Sequence, residues 1–226
     1  MYAIHGHYCD LHSTVPTFER LAAAAMARWV VNLPADGATP DDYEAALSPL
    51  YAWMHALAQR SDHQAVSAGA GASARAWVAL AGSGRRRHPL RTAALGAGLV
   101  AGVAALNAAG LGPVDRDLSG AALRRGGLRG LAEALRRLGV DAPHVIWGHS
   151  HRSGPWPGDD LAEWTTHAGG RMHNAGSWVY QPHFLSDAPN RSPYWPGTAI
   201  VIEDQGPPRL QRLLGDRGHA ELRPPR

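Results

Sequence analysis

What most narrows the folds open to this chain is an abrupt change of texture near residue 140. Before it, apolar residues recur at helical spacing. After it, short β-branched and aromatic runs alternate with Gly, Pro and Asn. Pro143-His144-Val145-Ile146-Trp147 carries the signature of a buried strand, and it stops at Gly148-His149-Ser150-His151. Residues 171–180 and 198–203 read as further strands, and Asp204-Gln205-Gly206 turns the last one back toward 209–214 as a hairpin. At the other end, Met1-Tyr2-Ala3-Ile4 reads as a short apolar strand running into His5-Gly6-His7. A strand, a long helical stretch and a run of strands predict an α/β layered chain.

The helical stretch has several parts. Phe18, Leu21, Ala25, Met26, Trp29 and Val30 recur at helical spacing over 17–31, with Thr14 or Thr17 as N-cap. Thr39-Pro40-Asp41-Asp42 announces a second helix, because Thr caps, Pro suits the first position and acids suit the positive end of the dipole. Pro49 is expected to kink or split that helix. Residues 61–84 read as a connection, with one short apolar piece at 77–80. Residues 90–111 are rich in Ala, Gly, Leu and Val. They predict a tightly packed helix, with a membrane-anchoring helix as the competing reading. A last amphipathic helix starts near Ser119 and turns Leu123, Leu128, Leu131, Leu135 and Leu138 inward, and Gly139 ends it.

At 226 residues, 45% hydrophobic and 18% charged, the chain can bury a core, so global disorder is excluded. Cys9 is the single cysteine, which excludes a disulfide framework and a Cys-rich zinc module. With no signal-like start, the expected compartment is the cytoplasm. All 22 basic residues are Arg and the net charge is +3. The densest basic cluster, 85–88, has no aromatic residues interleaved, so it gives no strong nucleic-acid signal.

Six of the 13 His fall between His144 and His183. Both His-x-His pairs, His5/His7 and His149/His151, follow strand-like segments. Residues two apart in extended chain point the same way, and an adjacent Gly lets the backbone turn so that imidazoles converge. Neutral imidazole is the commonest side-chain ligand of transition metals. The pattern therefore predicts a metal site.

Val145-Ile-Trp-Gly148-His149-Ser-His151-Arg152, followed by Asn174-Ala-Gly176-Ser177-Trp178, resembles the closing motifs of calcineurin-like metallophosphoesterases. In that family a hydrophobic strand ends in Gly-His-x-His and an Asn-x-Gly-Ser turn comes after it. Ile4-His5-Gly6 resembles the preceding motif, a strand-end His-Gly. The resemblance implies a two-metal site, with manganese, iron or zinc, between facing sheets. His5 and His149 would hold one metal and His151 the other, and a metal-activated hydroxide would attack phosphorus in line. His7 and Arg152 would stand on the phosphate side, and His7 or Asp10 could instead supply a supporting hydrogen bond. A surface ion pair with Asp159 or Asp160 is the competing reading of Arg152. Trp156 could form a lid.

The family's opening motifs, Asp-x-His, Gly-Asp-x-x-Asp and Gly-Asn-His-Asp/Glu, do not precede His5. Asp115-Arg116-Asp117 and Gly158-Asp159-Asp160 have a different form. The resemblance thus implies the C-terminal part of a layered β-sandwich phosphoesterase fold, inactive alone. Its expected parts are a strand and His-Gly segment at 1–16, a helical insertion or cap at 17–139, phosphoesterase strands at 140–214 and a flexible tail at 215–226. The expected substrate is a phosphorylated small molecule or a phosphodiester. The alternatives are a non-catalytic binding or scaffold module, and a protein anchored in a membrane through 90–111.

Overall fold

The computed structural model describes residues 1–60, 89–182, 185 and 191–223. The apolar piece at 77–80, the basic cluster at 85–88 and His183 lie outside the described residues. The chain forms two compact units, one from residues 1–7 and 139–226, the other from 8–138.

In the first unit, strands β1 (Tyr2–Ala3), β2 (His144–Trp147), β3 (Ser153–Gly154) and β4 (Arg171–Ala175) make one mixed sheet in the order β1-β2-β4-β3. β1, β2 and β4 run parallel, and β3 is antiparallel to β4. The pleat sorts the side chains. Val145, Trp147, Met172 and Asn174 are buried on one face, whereas His144, Ile146, His173 and Ala175 are half-buried on the other. A separate hairpin pairs β5 (Thr198–Val201) with β6 (Arg209–Arg212). The chain is thus α/β, with a four-stranded mixed sheet and helices.

The strand expected over 171–180 ends at Ala175. Gly176 adopts φ +74°, and its N–H donates to Asn174 Oδ1 at 2.8 Å. A Cβ at this glycine would lie 2.1 Å from Thr198 Oγ1, so no larger residue fits. A short helix, His219–Leu222, follows Gly218, whose N–H donates to Glu221 at 2.7 Å. The His219 ring meets Trp195 edge-on at 4.9 Å and lies 2.8 Å from the Tyr180 hydroxyl.

The second unit is helical: α1 (Cys9–His12), α2 (Phe18–Met26), α3 (Pro40–Arg60), α4 (Pro89–Ala108) and α5 (Gly120–Arg137). Thr17, not Thr14, caps α2 by accepting from Arg20 N–H at 3.1 Å. Ser119 caps α5 through Ala122 N–H at 3.1 Å. A π-helical turn, Ala27–Val31, closes the segment that begins with α2, and Asn32 at φ 54° stops it. Pro49 removes one ladder hydrogen bond, yet α3 runs through it unsplit, because Tyr43, Ala46, Leu47 and Leu50 hold a continuous buried face on both sides. The expected boundary near residue 16 falls instead after His7. α1 lies so close on α5 that a Cβ at Gly130 would sit 2.5 Å from the Cys9 carbonyl oxygen, which ties residues 8–16 to the helices. Most of α4 from Gly98 onward is exposed rather than tightly packed. No helix among the described residues is long and apolar enough to cross a membrane.

His12 ties α1 to α3, its Nε2 lying 2.8 Å from the Tyr43 hydroxyl. Burial, and then the nearby Arg137 charge, lower its pKa from 6.5 to about 4, with Glu133 opposing. The unfolded chain therefore takes up a proton that the folded chain refuses between those values, so stability must fall as pH drops from 6.5 toward 4. The gap corresponds to about 3 kcal/mol. Urea denaturation at pH 7, 5.5 and 4 should show this loss, and His12→Gln should flatten the His12 share of it. An equal pH dependence in the variant would contradict the assignment.

Candidate metal centre

The site is built where β1 and β2 end. Their parallel pairing continues past the strands, because Ile4 N–H donates to the Ile146 carbonyl at 3.0 Å and Gly148 N–H to the His5 carbonyl at 3.0 Å. The segments carrying His5 and His149 consequently leave the sheet side by side. Gly6 makes the exit possible: it has φ +107°, and a Cβ there would meet the Trp147 ring at 2.8 Å. The His-Gly pair is thus a local necessity of this geometry.

Three imidazoles gather at this edge. The ring centroids of His5 and His149 are 5.2 Å apart, those of His5 and His7 also 5.2 Å, and those of His7 and His149 6.4 Å. His5 Nδ1 and His7 Nδ1 are separated by 3.2 Å. Two nitrogens on one cation with bonds of 2.0–2.1 Å lie about 3.3 Å apart at a tetrahedral centre and about 2.9 Å apart along an octahedral edge. The His5/His7 gap falls between these limits. His151 stands two residues beyond His149, with its Nδ1 3.1 Å from Gln181 Oε1. When this Nδ1–H donates to the amide oxygen, the Nε2 lone pair is left for a ligand.

Both histidines of Gly-His-x-His adopt left-handed backbone, His149 at φ 65° and His151 at φ 58°. Each such residue costs about 1–2 kcal/mol relative to an ordinary conformation. The cost persists only where surrounding structure enforces it. Here the enforcing group is Asn174, fully buried in β4 and in register with Trp147. Its Nδ2 donates to the Gly148 carbonyl at 3.0 Å and to Ser150 Oγ at 2.9 Å, while its Oδ1 accepts from Gly176 N–H. Asn174 is thus both the turn former and the clamp behind the histidine loop. Ser177 serves the following turn, accepting from Val179 N–H at 3.0 Å.

Other residues singled out in the sequence have structural work. The Arg152 guanidinium makes two bonds to Asp159, at 2.7 and 2.8 Å, and both side chains are at least nine-tenths buried. The competing reading as an ion pair therefore describes it, inside the core rather than on the surface, and it is not available as a phosphate fork. Trp156 donates its backbone N–H to the same carboxylate, and the Arg212 guanidinium covers its ring at 4.9 Å. Asp160 caps a 3-10 turn at Leu161–Trp164, and Asp117 receives Ser119 N–H at 2.9 Å. Asp10 accepts from the Tyr51 hydroxyl within the helical unit. Cys9 is buried there, and burial followed by the Asp10 charge raises its pKa well above the ordinary thiol range.

Two participants escaped sequence reading. Gln181 lies beyond the Asn-x-Gly-Ser turn, where no periodicity marks it. Asn174 as a clamp is legible only from its place on the core-facing phase of β4. An open groove of about 430 Å³ runs beside His5, along Ala3, Ile4, Ile146, Trp147 and Ala175. No known family matches the chain, and neither a curated protein nor a solved structure matches it.

The left-handed backbone at His149 can be tested without reference to any ligand. His149→Gly and His149→Ala both delete the imidazole, but only glycine relieves the backbone. The glycine variant should be the more stable by about 1 kcal/mol. Chemical denaturation that ranks alanine at or above glycine would show that this position is not left-handed.

Proposed function

We propose that His5, His149 and His151 form the imidazole side of a two-metal phosphoesterase centre, which would hydrolyse a phosphomonoester or phosphodiester only once further anionic ligands complete it, this chain being inactive alone. The observation that carries this reading is the strained Gly-His-x-His loop, left-handed at both histidines, gripped by the buried Asn174 at Gly148 and Ser150 on either side of His149, and delivered next to His5. Strain maintained at polar, ligand-competent side chains is a mark of a working site. On the same reading, the four-stranded sheet is the C-terminal part of a layered β-sandwich fold of the calcineurin-like type.

The donor set suits such metals. Imidazole nitrogens accept manganese, iron or zinc, and the His5/His7 separation of 3.2 Å matches neighbouring positions on one cation. His5 and His149 would hold one metal, with His7 beside them as an added donor or proton partner. His151 would hold the other through Nε2, its orientation fixed by Gln181. Bound divalent cations supply Lewis acidity, which makes water a nucleophile near neutral pH and offsets charge on the phosphoryl oxygens. The chain's own residues position the metals, and the apolar walls of the groove beside His5 leave room for the organic part of an ester. Neutral imidazoles cannot balance two divalent cations, so full activity requires anionic ligands beyond these four histidines.

The reading is tested by binding before turnover. Zn²⁺- or Mn²⁺-loaded protein should bind inorganic phosphate, and metal-free protein should not. His149→Ala should weaken metal binding by about tenfold or more, and His7→Ala should do so to a lesser degree. Hydrolysis of an aryl phosphate by this chain alone should remain close to background. Phosphate binding that ignores the metal would overturn the phosphoesterase reading, and rapid turnover would overturn the requirement for further anionic ligands.

A further inference from the structure

A second close pair of imidazoles lies on the half-buried face of the sheet, separate from the strand-end site. His144 begins β2 and His173 sits in the middle of β4. The register pairs His144 with Arg171 and Ile146 with His173, so the two histidines are diagonal neighbours on one face. His144 Nδ1 and His173 Nε2 are 3.1 Å apart, and the ring centroids are 5.3 Å apart with the planes tilted by 49°. Paired strands, rather than a loop, fix this separation.

The gap again falls between the octahedral and tetrahedral nitrogen spacings of about 2.9 and 3.3 Å. Both residues are half-buried rather than enclosed, so open coordination positions can be filled by water. We propose that His144 and His173 are a chelating pair for one divalent transition-metal ion, separate from the His5, His149 and His151 centre. Two imidazoles with no carboxylate partner among the described residues favour borderline cations in the order Cu²⁺ above Ni²⁺ and Zn²⁺. Mg²⁺ and Ca²⁺, which demand oxygen ligands, are excluded. When both rings are neutral, the 3.1 Å contact has one ring's N–H pointing at the other ring's lone pair. On binding, that ring carries its proton on its remote nitrogen instead, so chelation exchanges a tautomer and releases no net proton. Arg171, exposed and two residues before His173 on the same face, is the like charge that limits affinity.

The experiment uses the full chain carrying His5→Ala, His149→Ala and His151→Ala, which dismantles the first centre and leaves His7 as its one remaining imidazole. Titrated with Cu²⁺, this variant should still bind one ion per chain, with an electron paramagnetic resonance spectrum showing coupling to two imidazole nitrogens. Adding His173→Asn or, separately, His144→Asn should weaken binding roughly tenfold or more, and Arg171→Ala should strengthen it. Circular dichroism identifies any variant that fails to fold. In that case, paramagnetic broadening by Cu²⁺ of the His144 and His173 ring signals in the triple variant decides the matter. Loss of all Cu²⁺ binding in the triple variant, binding indifferent to both asparagine substitutions, or broadening confined to other histidines would each overturn the proposal. None of these outcomes depends on whether the strand-end histidines belong to a phosphoesterase.

Discussion

The geometry of the candidate centre depends on one buried amide. Asn174 has no exposed surface, and burying an amide without partners costs about 1–3 kcal/mol. Here it meets three partners: the Gly148 carbonyl, Ser150 Oγ and Gly176 N–H. Two of these belong to the loop after β2 and one to the turn after β4. A single side chain therefore sets the path of both connections at one end of the sheet. Asparagine suits the position because it offers donors and an acceptor at once. Aspartate would supply no donor for Gly148, and an apolar residue would release the loop.

The sheet explains why imidazoles collect in two places. Parallel strands β1 and β2 end together, so residues just past their ends are neighbours whatever their separation in sequence, and His5 and His149 meet across 144 positions. Within the strands, alternation sends Val145, Trp147, Met172 and Asn174 into the core and leaves His144 and His173 on the other face. His173 shows the effect of that intermediate setting: burial, then the His144 and Arg171 charges, lower its pKa. The half-buried face thus carries titratable groups that the core face could not hold without partners.

How much of this was legible in the sequence follows from the range of the interactions involved. Local signals worked where the determinant is local. Thr17 and Ser119 cap their helices, the alternation at 144–147 marks β2, and Asp204-Gln205-Gly206 separates two strands that pair. They failed where a distant partner decides. The strand after Arg171 stops at Ala175 because Asn174 captures Gly176, and α3 survives Pro49 because its buried face outweighs one lost hydrogen bond. Residues 8–16 join the helices through a close approach at Gly130 that no window of sequence contains. The histidines at the strand ends could be read from their spacing, but their convergence needed the β1–β2 pairing. Gln181 had no signal at all.

The Arg152–Asp159 pair bears on the centre through what it cancels. Arg152 directly follows His151, and a free guanidinium at that point would oppose a cation held by the histidine loop. At 4 Å two like charges repel by about 4 kcal/mol near a protein surface, and the opposition is stronger in a drier site. Asp159 pairs with both guanidinium ends, and the Trp164 ring lies 5.7 Å from the guanidinium carbon, so Arg152 presents no uncompensated charge. Breaking such a buried pair costs about 3–5 kcal/mol, which keeps it closed. His173 has no comparable protection. Arg171 is exposed beside it, so any cation on the sheet face must bind against a like charge. The same element, an arginine close to a histidine, is thus neutralised at the strand-end site and exposed on the sheet face, without an ion-pair partner among the described residues. The difference predicts the ranking of the two sites for divalent ions, with the strand-end histidines filling first.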